Sequence, residues 1–179
     1  MFLSENFFEI PVLVLKNIII FPKSIIPVLV GKPVSVNAIE KANNNEKKLI
    51  FITNENNDDK NDLNKKGTLC QIVRFIKMSN GNFKVLLEGI NRAESKKILI
   101  TEESINCEIS LIKTSTVLNE IDLEANWRSF ANVYKEYSKY NSKLPENIID
   151  KYSSIETMEL IIDAIAPHLS IKAIDKKKY

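Results

Sequence analysis

Residues 10–31 read IPVLVLKNIIIFPKSIIPVLVG and form the most apolar segment of the chain. A membrane-spanning helix needs about 20 consecutive apolar residues. Here Pro11, Pro22 and Pro27 would each break such a helix, because proline lacks a backbone N–H and its ring clashes with the preceding turn. The dominance of Val, Ile and Leu, interrupted by Asn and Pro, instead predicts two or three short buried strands joined by tight turns.

The composition is typical of a soluble globular protein, with 44% hydrophobic and 27% charged residues among 179. A net charge of +2 is too small to indicate a nucleic-acid-binding surface. Two cysteines, Cys70 and Cys107, and a single histidine, His168, argue against a disulfide framework and against a three-ligand metal site. Since no targeting segment is recognisable, the sequence predicts a protein of the reducing cytoplasm.

The segment after the opening strands predicts one helix. Proline stands at its first position, where the missing N–H costs nothing, and the helix runs over residues 33–42. Val36, Ile39 and Ala42 are spaced to share its buried face. Two further segments follow, a buried strand at 49–53 (LIFIT) and a solvated, mobile loop at 54–66 (NENNDDKNDLNKK).

A hairpin is the clearest local pattern. Strand patterns at 67–78 and 83–88 flank the sequence Ser79-Asn80-Gly81-Asn82. Asn-Gly predicts a type I′ turn, in which both central residues need a positive φ. Gly89 is then expected to turn the chain into the next strand. Later strands are predicted near residues 90–93, 96–101 and 104–113. Six or more strands with short connections and one helix predict a small, mainly antiparallel barrel.

The pattern changes to a helical one near residue 114. Five residues with 4-3-4-3 spacing predict an apolar, largely aromatic helix face: Leu123, Trp127, Phe130, Tyr134 and Tyr137. A second helix is predicted over 144–152. Ser153 and Glu156 form a capping box for a third helix, whose predicted buried face is Met158, Ile161, Ile162 and Ile165. Pro167 ends this helix. Residues 170–179 predict a fourth helix that is cut short.

No motif for catalysis stands out. The four glycines lack the G-x-x-x-x-G-K-[S/T] spacing of a phosphate-binding loop. His168 lies at a predicted helix end, where capping or packing is the simpler role, and both cysteines lie on predicted strands as small buried hydrophobes. The sequence therefore predicts no catalytic, cofactor-binding or metal-binding residue, and no enzyme within these 179 residues.

Three motif clusters, taken together, carry a family resemblance. The first is I-P-V-L-x-L-x-N followed by F-P-x-x-x-I-P-x-x-V-G in residues 10–31. The second is residues 67–93, which end in V-L-L-E-G-I-N-R-A. The third comprises K-L-P at 143–145, S-I-E at 154–156 and L-I-I-D-A-I-A-P-H-L at 160–169. In this order they resemble the N-terminal domain of Lon, the ATP-dependent serine protease also called endopeptidase La.

The resemblance implies an α+β fold. Residues 1–114 would form a PUA-like, mainly antiparallel β-barrel with one helix, and residues 115–179 a C-terminal α-helical bundle. It also implies a non-catalytic domain that recognises misfolded, damaged and short-lived regulatory proteins. The partners would be ATPase and protease domains of the same chain, with ATP and Mg bound there, in a homo-hexamer. Neither a membrane nor a nucleic acid is an expected partner.

Two alternatives stay open at this point. A free-standing Lon-type domain would be an adaptor or regulator, and a PUA-like barrel would suit RNA binding, although the near-neutral charge disfavours it. For substrate contact the candidates are apolar residues beside predicted turns, where they are exposed for binding: Phe21, Ile25, Ile26 and Met78.

Overall fold

The computed structural model describes residues 6–56, 59–113, 120–141, 144, 162–163 and 165–169. The chain divides into two compact units, Met1–Lys113 and Thr114–Tyr179. We call them the β unit and the helical unit and treat each by itself.

The apolar opening forms two strands, which confirms the strands predicted for residues 10–31, although the second is buried on one side only. Strand β1 spans Asn6–Val14 and β2 spans Ile25–Val30. Between them Ser24 closes a turn, because its N–H and its Oγ both donate to the carbonyl oxygen of Phe21, at 3.1 and 2.6 Å.

Helix α1 spans Pro33–Asn43, with proline in its first turn as predicted. Ala38, Ile39 and Ala42 are buried, and Val36 is partly buried against the same core. The helix packs against β1 and β3. A short turn connects its end to β3.

The remaining strands of the β unit are β3 (Leu49–Thr53), β4 (Glu55–Asn56), β5 (Asp59–Leu63), β6 (Lys66–Lys77), β7 (Phe83–Ile100) and β8 (Ile105–Leu111). Six of the eight strands form one sheet in the order β2-β7-β6-β3-β1-β8, and a further pairing joins β8 to β7. All pairings in this sheet are antiparallel except β1 with β3.

The circuit of pairings is not a clear barrel, so that part of the prediction holds only in its coarser form, a mostly β fold with helices. The reason lies in β7. Its residues 83–88 pair with β2 on one side and β6 on the other, whereas its residues 93–100 pair with β8. One long strand therefore serves two parts of the sheet, and β2 lies outside the ring that the other five strands close.

Two buried clusters form the core of the β unit. The larger one joins the inner residues of β2, β6 and β7 with α1 and contains Val28, Ile39, Ile72, Val85 and Leu87. The smaller one lies between β1, β3, β6 and β8 around Phe51, which is fully buried. Burying apolar surface on both sides of the sheet is what stabilises this fold, at about 25 cal/mol per Å².

Residues 54–66 are not simply a loop. Strands β4 and β5 pair antiparallel in a two-stranded sheet, and the N–H of Asn64 donates to the carbonyl of Asn54 at 2.9 Å. Leu63 is buried and the Thr53 hydroxyl donates to the Asn64 carbonyl at 2.6 Å. Backbone pairing does not require apolar side chains, which is why a polar sequence concealed it.

The prediction of a type I′ turn between β6 and β7 is wrong. Only Gly81 has a positive φ in this turn, at 82°. The Gly81 N–H donates to the Met78 carbonyl and the Met78 N–H to the Asn82 carbonyl, at 3.0 and 2.8 Å. Asn80 instead accepts the Asn82 N–H on its side-chain oxygen at 3.1 Å. This is a three-residue loop with glycine in the left-handed position, the next commonest hairpin connection.

Gly89 does not turn the chain, because β7 runs through it without a break. An ideal Cβ on Gly89 would lie 2.2 Å from the carbonyl oxygen of Phe21. Glycine is therefore required for close approach of two backbone segments and not for a turn.

In the helical unit, helix α2 spans Glu120–Ser138. Trp127, Phe130 and Tyr134 pack together with Leu144 and Ile165, which confirms the core of the predicted aromatic face. Tyr137 lies at its edge and is 38% exposed. The side chain of Leu123 lies outside the described residues.

The predicted third helix agrees only in part. Ile165 is buried against the aromatic cluster, but Ile162 is 39% exposed. Residues 166–168 then form a short 3-10 helix that includes Pro167. Met158 and Ile161, the predicted helix at 144–152 apart from Leu144, and the predicted helix at 170–179 all lie outside the described residues. A helical bundle is therefore not shown.

Candidate functional site

Strand β2 alternates between the core and solvent. Val28 and Val30 point inward and are buried, whereas Ile25 and Leu29 point outward and are 56% and 71% exposed. Pro27 is also exposed. Alternation of this kind is dictated by the two-residue period of a strand, but here the solvent side carries large apolar side chains where polar ones are usual.

The register extends this apolar surface over two more strands. Leu29 pairs with Lys84 of β7, and Lys84 pairs with Ile76 of β6. Directly paired side chains on one face lie about 4.5–5.5 Å apart at their Cβ atoms. We call this surface the outer face and define it by the outward residues of three strands: Ile25, Pro27 and Leu29; Lys84, Leu86 and Glu88; Arg74 and Ile76.

An irregularity enlarges the outer face at β6. The register shifts between Ile72 and Arg74, so that Val73 is an extra residue in the strand. Such bulges re-aim a side chain, and Val73 is 50% exposed. Met78 follows the end of β6 at the hairpin and is 40% exposed. Contiguous exposed apolar residues rimmed by polar ones mark a surface for interaction.

The charges of the outer face are mainly positive. Lys84 and Arg74 are exposed among the apolar side chains, and Glu88 is partly buried. This surface offers apolar contact and cations but no reactive group, so its chemistry is that of binding.

Hydrogen bonds fix β2 at this position. The Lys23 N–H donates to the Gly89 carbonyl at 2.8 Å, and the Gly89 N–H donates to the Ser24 carbonyl at 2.9 Å. Thr68 donates its hydroxyl to the Ile20 carbonyl, which ties the preceding segment to β6. The exposed side chains thus stand on a rigid strand.

The four predicted contact residues do not all reach the surface. Ile25 and Met78 are exposed, and Ile26 is partly buried against the core. Phe21 is only 4% exposed, so it was wrongly placed on the surface. The physical reason is the turn closed by Ser24, which holds Phe21 against β7 at Gly89.

Sequence reasoning missed Leu29 and Ile76. Period-two alternation from Ile25 would have placed Leu29 on the same side as Ile25. Ile76 needed the cross-strand register, which no local pattern supplies.

The two cysteines are unsuited to nucleophilic chemistry. Cys70 and Cys107 are both free thiols and both buried. Burial raises the pKa of Cys107 to about 12 and raises that of Cys70 well above its usual range. The thiolate, which is the reactive form, is therefore rare in the folded protein at neutral pH.

The described residues contain no group of three or more His, Cys, Asp and Glu side chains placed to hold a metal ion. Among the helices that the structure describes, none has the length and apolarity to cross a bilayer.

Comparison with known proteins agrees with this picture. Residues 9–178 match the family model of the ATP-dependent protease La (Lon) substrate-binding domain. The Lon protease of Buchnera aphidicola subsp. Schizaphis graminum is 34% identical over 173 residues, which are 94% of this chain and 22% of the relative. The Lon protease of Escherichia coli K12 is 30% identical over 173 residues, again 94% of this chain and 22% of the relative.

Solved structures share the fold. The N-terminal domain of the Mycobacterium avium complex Lon protease superposes with a TM-score of 0.67 at 14% identity, covering 95% of this chain and 94% of that one. The Lon N-terminal domain protein from Xanthomonas campestris gives 0.61 at 12% identity, covering 96% and 89%.

The chain spans about a fifth of the length of the curated relatives that it matches. What it matches is their substrate-binding domain and not their catalytic part. From the family model, the relatives and the fold together, the chain belongs to the Lon substrate-binding domain family.

Proposed function

We propose that this chain is the non-catalytic substrate-recognition and assembly domain of an ATP-dependent Lon-type protease that degrades misfolded, damaged and short-lived regulatory proteins. Within it, the outer face captures apolar segments of unfolded polypeptides. The observation that carries this proposal is the exposure of Ile25, Leu29, Ile76 and Met78 around one set of paired strands.

Selective binding of unfolded polypeptides follows from the burial of apolar side chains in folded proteins. A folded protein buries its Val, Leu, Ile and Phe side chains, whereas an unfolded one presents them in sequence. Fully burying one such side chain is worth about 1.5–3 kcal/mol. The client side chains that cover three or four of them on the outer face are buried as well, and both gains offset the cost of association and of ordering the segment. We expect micromolar-class binding, which corresponds to about −8 kcal/mol.

The cations of the outer face add a preference. Lys84 and Arg74 repel segments rich in Lys and Arg and attract those with Asp or Glu beside the apolar residues. Because these side chains are exposed, the preference weakens as salt rises.

The remaining partners follow from the family. We expect ATPase and protease domains in the same polypeptide, with ATP and Mg bound there, a homo-hexameric assembly and a cytoplasmic location. Support for these additional domains comes from the relatives, which are about five times longer than the part matched here. An immunoblot of source cells tests for them, since a band near 20 kDa alone would indicate a free-standing adaptor instead.

For the fold itself we also propose a PUA-like barrel over 1–114 and a helical bundle over 115–179.

Binding to two forms of one test protein tests the recognition itself. A disulfide-bonded protein is used natively, and again after reduction and alkylation, which keeps it unfolded in the same buffer. We expect the chain to bind the unfolded form with micromolar-class affinity and the native form at least tenfold more weakly. Equal affinity for both forms would refute selection of unfolded polypeptides.

A further inference from the structure

The loop between β6 and β7 contains a chemically labile pair of residues. Asn80 is followed by Gly81, and it is the only asparagine of the chain that glycine follows. An asparagine side chain can react with the backbone nitrogen of the next residue, and glycine hinders that approach least because it has no Cβ. Both residues are exposed here, and nothing lies within 4 Å of an ideal Cβ on Gly81. The reaction therefore has the space that it needs.

One hydrogen bond of the loop favours this reaction. The Asn82 N–H donates to Oδ1 of Asn80, and the distance between the two atoms is 3.1 Å. When a nitrogen attacks Cγ of Asn80, negative charge develops on this oxygen, and a donor already placed at that distance stabilises the charge. The loop thus holds the Asn80 amide with its carbonyl polarised toward attack.

A second hydrogen bond opposes the reaction. The Gly81 N–H donates to the Met78 carbonyl at 3.0 Å, and this nitrogen must lose its proton before it can attack. The loop therefore has to open, and exposed loops open far more readily than a core strand does. The loss of one such hydrogen bond slows the reaction by about tenfold at most.

Asn82 provides a contrast within the same loop. The residue after it, Phe83, is only 1% exposed, and its backbone lies in β7 between Val30 of β2 and Lys77 of β6. The Phe83 side chain hinders attack by its own backbone nitrogen, and the sheet holds that nitrogen in place. Asn82 should therefore stay intact where Asn80 reacts.

We propose that Asn80 is a site of spontaneous deamidation, with water as the only co-reactant. The Gly81 nitrogen gives its proton to solvent and forms a bond to Cγ of Asn80. The bond from Cγ to the amide nitrogen breaks, and this nitrogen takes up a proton and leaves as ammonia. Water then opens the cyclic succinimide at either of its carbonyls. The product is an aspartate at position 80, or an isoaspartate through whose side-chain carbon the backbone continues.

The modification acts on the outer face. Either product replaces a neutral amide by a carboxylate, which is ionised at neutral pH, in the loop that Met78 joins to the outer face and on the same hairpin as Lys84. The mainly positive charge of this surface decreases, and its preference for clients with Asp or Glu weakens. This consequence rests on the proposed function, whereas the deamidation itself does not.

Mass spectrometry of the incubated chain tests the modification. Trypsin cuts after Lys77 and Lys84 and releases residues 78–84, MSNGNFK, which contain both Asn80 and Asn82. The chain and a synthetic peptide of these residues are incubated side by side at neutral pH and body temperature, and fragmentation assigns the mass increase to one of the two asparagines. We expect Asn80 to deamidate within about tenfold of its rate in the peptide, and Asn82 to stay unchanged. Isoaspartate, detected with protein isoaspartyl methyltransferase, should form together with aspartate.

Asn80→Gln is the control for the mechanism. Glutamine keeps the amide but would have to form a larger ring, which closes far more slowly, so we expect residues 78–84 of this variant to stay unmodified. The proposal would be overturned by an intact Asn80 after the synthetic peptide has reacted fully, or by equal deamidation of Asn82. Aspartate without isoaspartate, or equal loss of the amide in Asn80→Gln, would overturn it as well, because both indicate direct hydrolysis.

Asn80→Asp tests the consequence for the outer face. We expect it to bind an unfolded polypeptide rich in Asp and Glu about twofold to fivefold more weakly at low salt, with a smaller difference at high salt. Asn132→Asp makes the same change of charge at an exposed position of α2 and should leave the affinity unchanged. Unchanged affinity of Asn80→Asp, or equal weakening by both variants, would refute an effect on the outer face. If the unaltered chain does not prefer unfolded polypeptides, the proposed function fails while the deamidation result stands.

Discussion

Leu29 of β2 and Ile76 of β6 lie on either side of Lys84 of β7, which is the register partner of both. Two exposed aliphatic side chains thus flank the stem of a lysine, whose methylene groups add apolar surface beneath its charge. This row, with Ile25 and Met78 nearby, is the part of the outer face that a client segment would cover.

Replacing Leu29 should weaken client binding without affecting folding. Leu29→Gln removes an aliphatic side chain that is 71% exposed, more than Ile25 or Ile76. We expect a roughly fivefold to tenfold weaker affinity for an unfolded polypeptide, about 1–1.4 kcal/mol. The free energy of unfolding should change by less than about 0.5 kcal/mol. Fluorescence anisotropy and urea denaturation measure the two quantities.

Val133→Gln is the matched control for that variant. Val133 is 66% exposed on α2, in the helical unit. We expect its affinity for the unfolded polypeptide to stay unchanged. If both variants weaken binding equally, the outer face is not the site.

Gly89→Ala should destabilise the β unit. The added Cβ would lie 2.2 Å from the Phe21 carbonyl oxygen and 2.9 Å from its carbon, both of them backbone atoms that cannot rotate away. The hydrogen bonds between Gly89 and residues 23 and 24 would have to shift, at a cost of about 1–3 kcal/mol. Urea denaturation of the variant checks this value.

Gly81→Asn serves as the comparison for Gly89→Ala. Gly81 has a φ of 82°, and nothing lies within 4 Å of its ideal Cβ. Because asparagine tolerates the left-handed conformation, we expect a loss of less than about 1 kcal/mol. A smaller effect at Gly89 than at Gly81 would contradict the close-approach explanation.

Neither thiol should react in the folded protein. Cys70 and Cys107 are 0% and 2% exposed, and burial raises both pKa values. At pH 8 a thiol-specific disulfide reagent should label the protein only as fast as it opens, and should label two thiols per chain at once in urea. Rapid labelling of either cysteine without denaturant would show that the strand carrying it is not packed as described.

The same burial should make the fold sensitive to alkali. Unfolded thiols lose their protons near pH 8.5, whereas the pKa of Cys107 in the folded state is about 12. Above pH 8.5 the unfolded state therefore binds fewer protons than the folded state, and stability falls as pH rises, by up to about 1.4 kcal/mol per pH unit for each thiol.

A Cys70→Ala, Cys107→Ala double variant isolates this effect. Its stability at neutral pH should be lower because the core loses volume, but its decline between pH 8.5 and 10.5 should be shallower than in the unaltered chain. Urea midpoints across this range measure both slopes. Identical slopes would mean that the thiols are not buried in the folded state.

Local features of the fold were predictable from sequence. Pro33 with the spacing of Val36, Ile39 and Ala42 predicted α1, because helix starts and apolar faces depend on neighbours a few residues away. Strand β3 and the hairpin of β6 and β7 followed for the same reason. The turn type at Asn80 was predicted wrongly, and it is a detail in which one side-chain hydrogen bond takes part.

Non-local features were not predictable from the sequence. The sequence around Gly89 predicts a turn. Only the structure shows that the backbone of Phe21, 68 positions earlier in the chain, lies beside it. Phe21 likewise reads as exposed until that contact is known. The outer face requires the pairing of Leu29 with Lys84. The family resemblance bridged this gap for the fold but not for individual contact residues.

Methyl NMR with a spin-labelled, permanently unfolded polypeptide shows directly whether the outer face binds unfolded clients. We expect paramagnetic broadening of the Ile25, Leu29, Ile76 and Met78 methyl signals, no broadening of Val133, and much weaker effects when the same polypeptide is native. Broadening that spares the outer face, or that is equally strong with the native form, would contradict the proposed function.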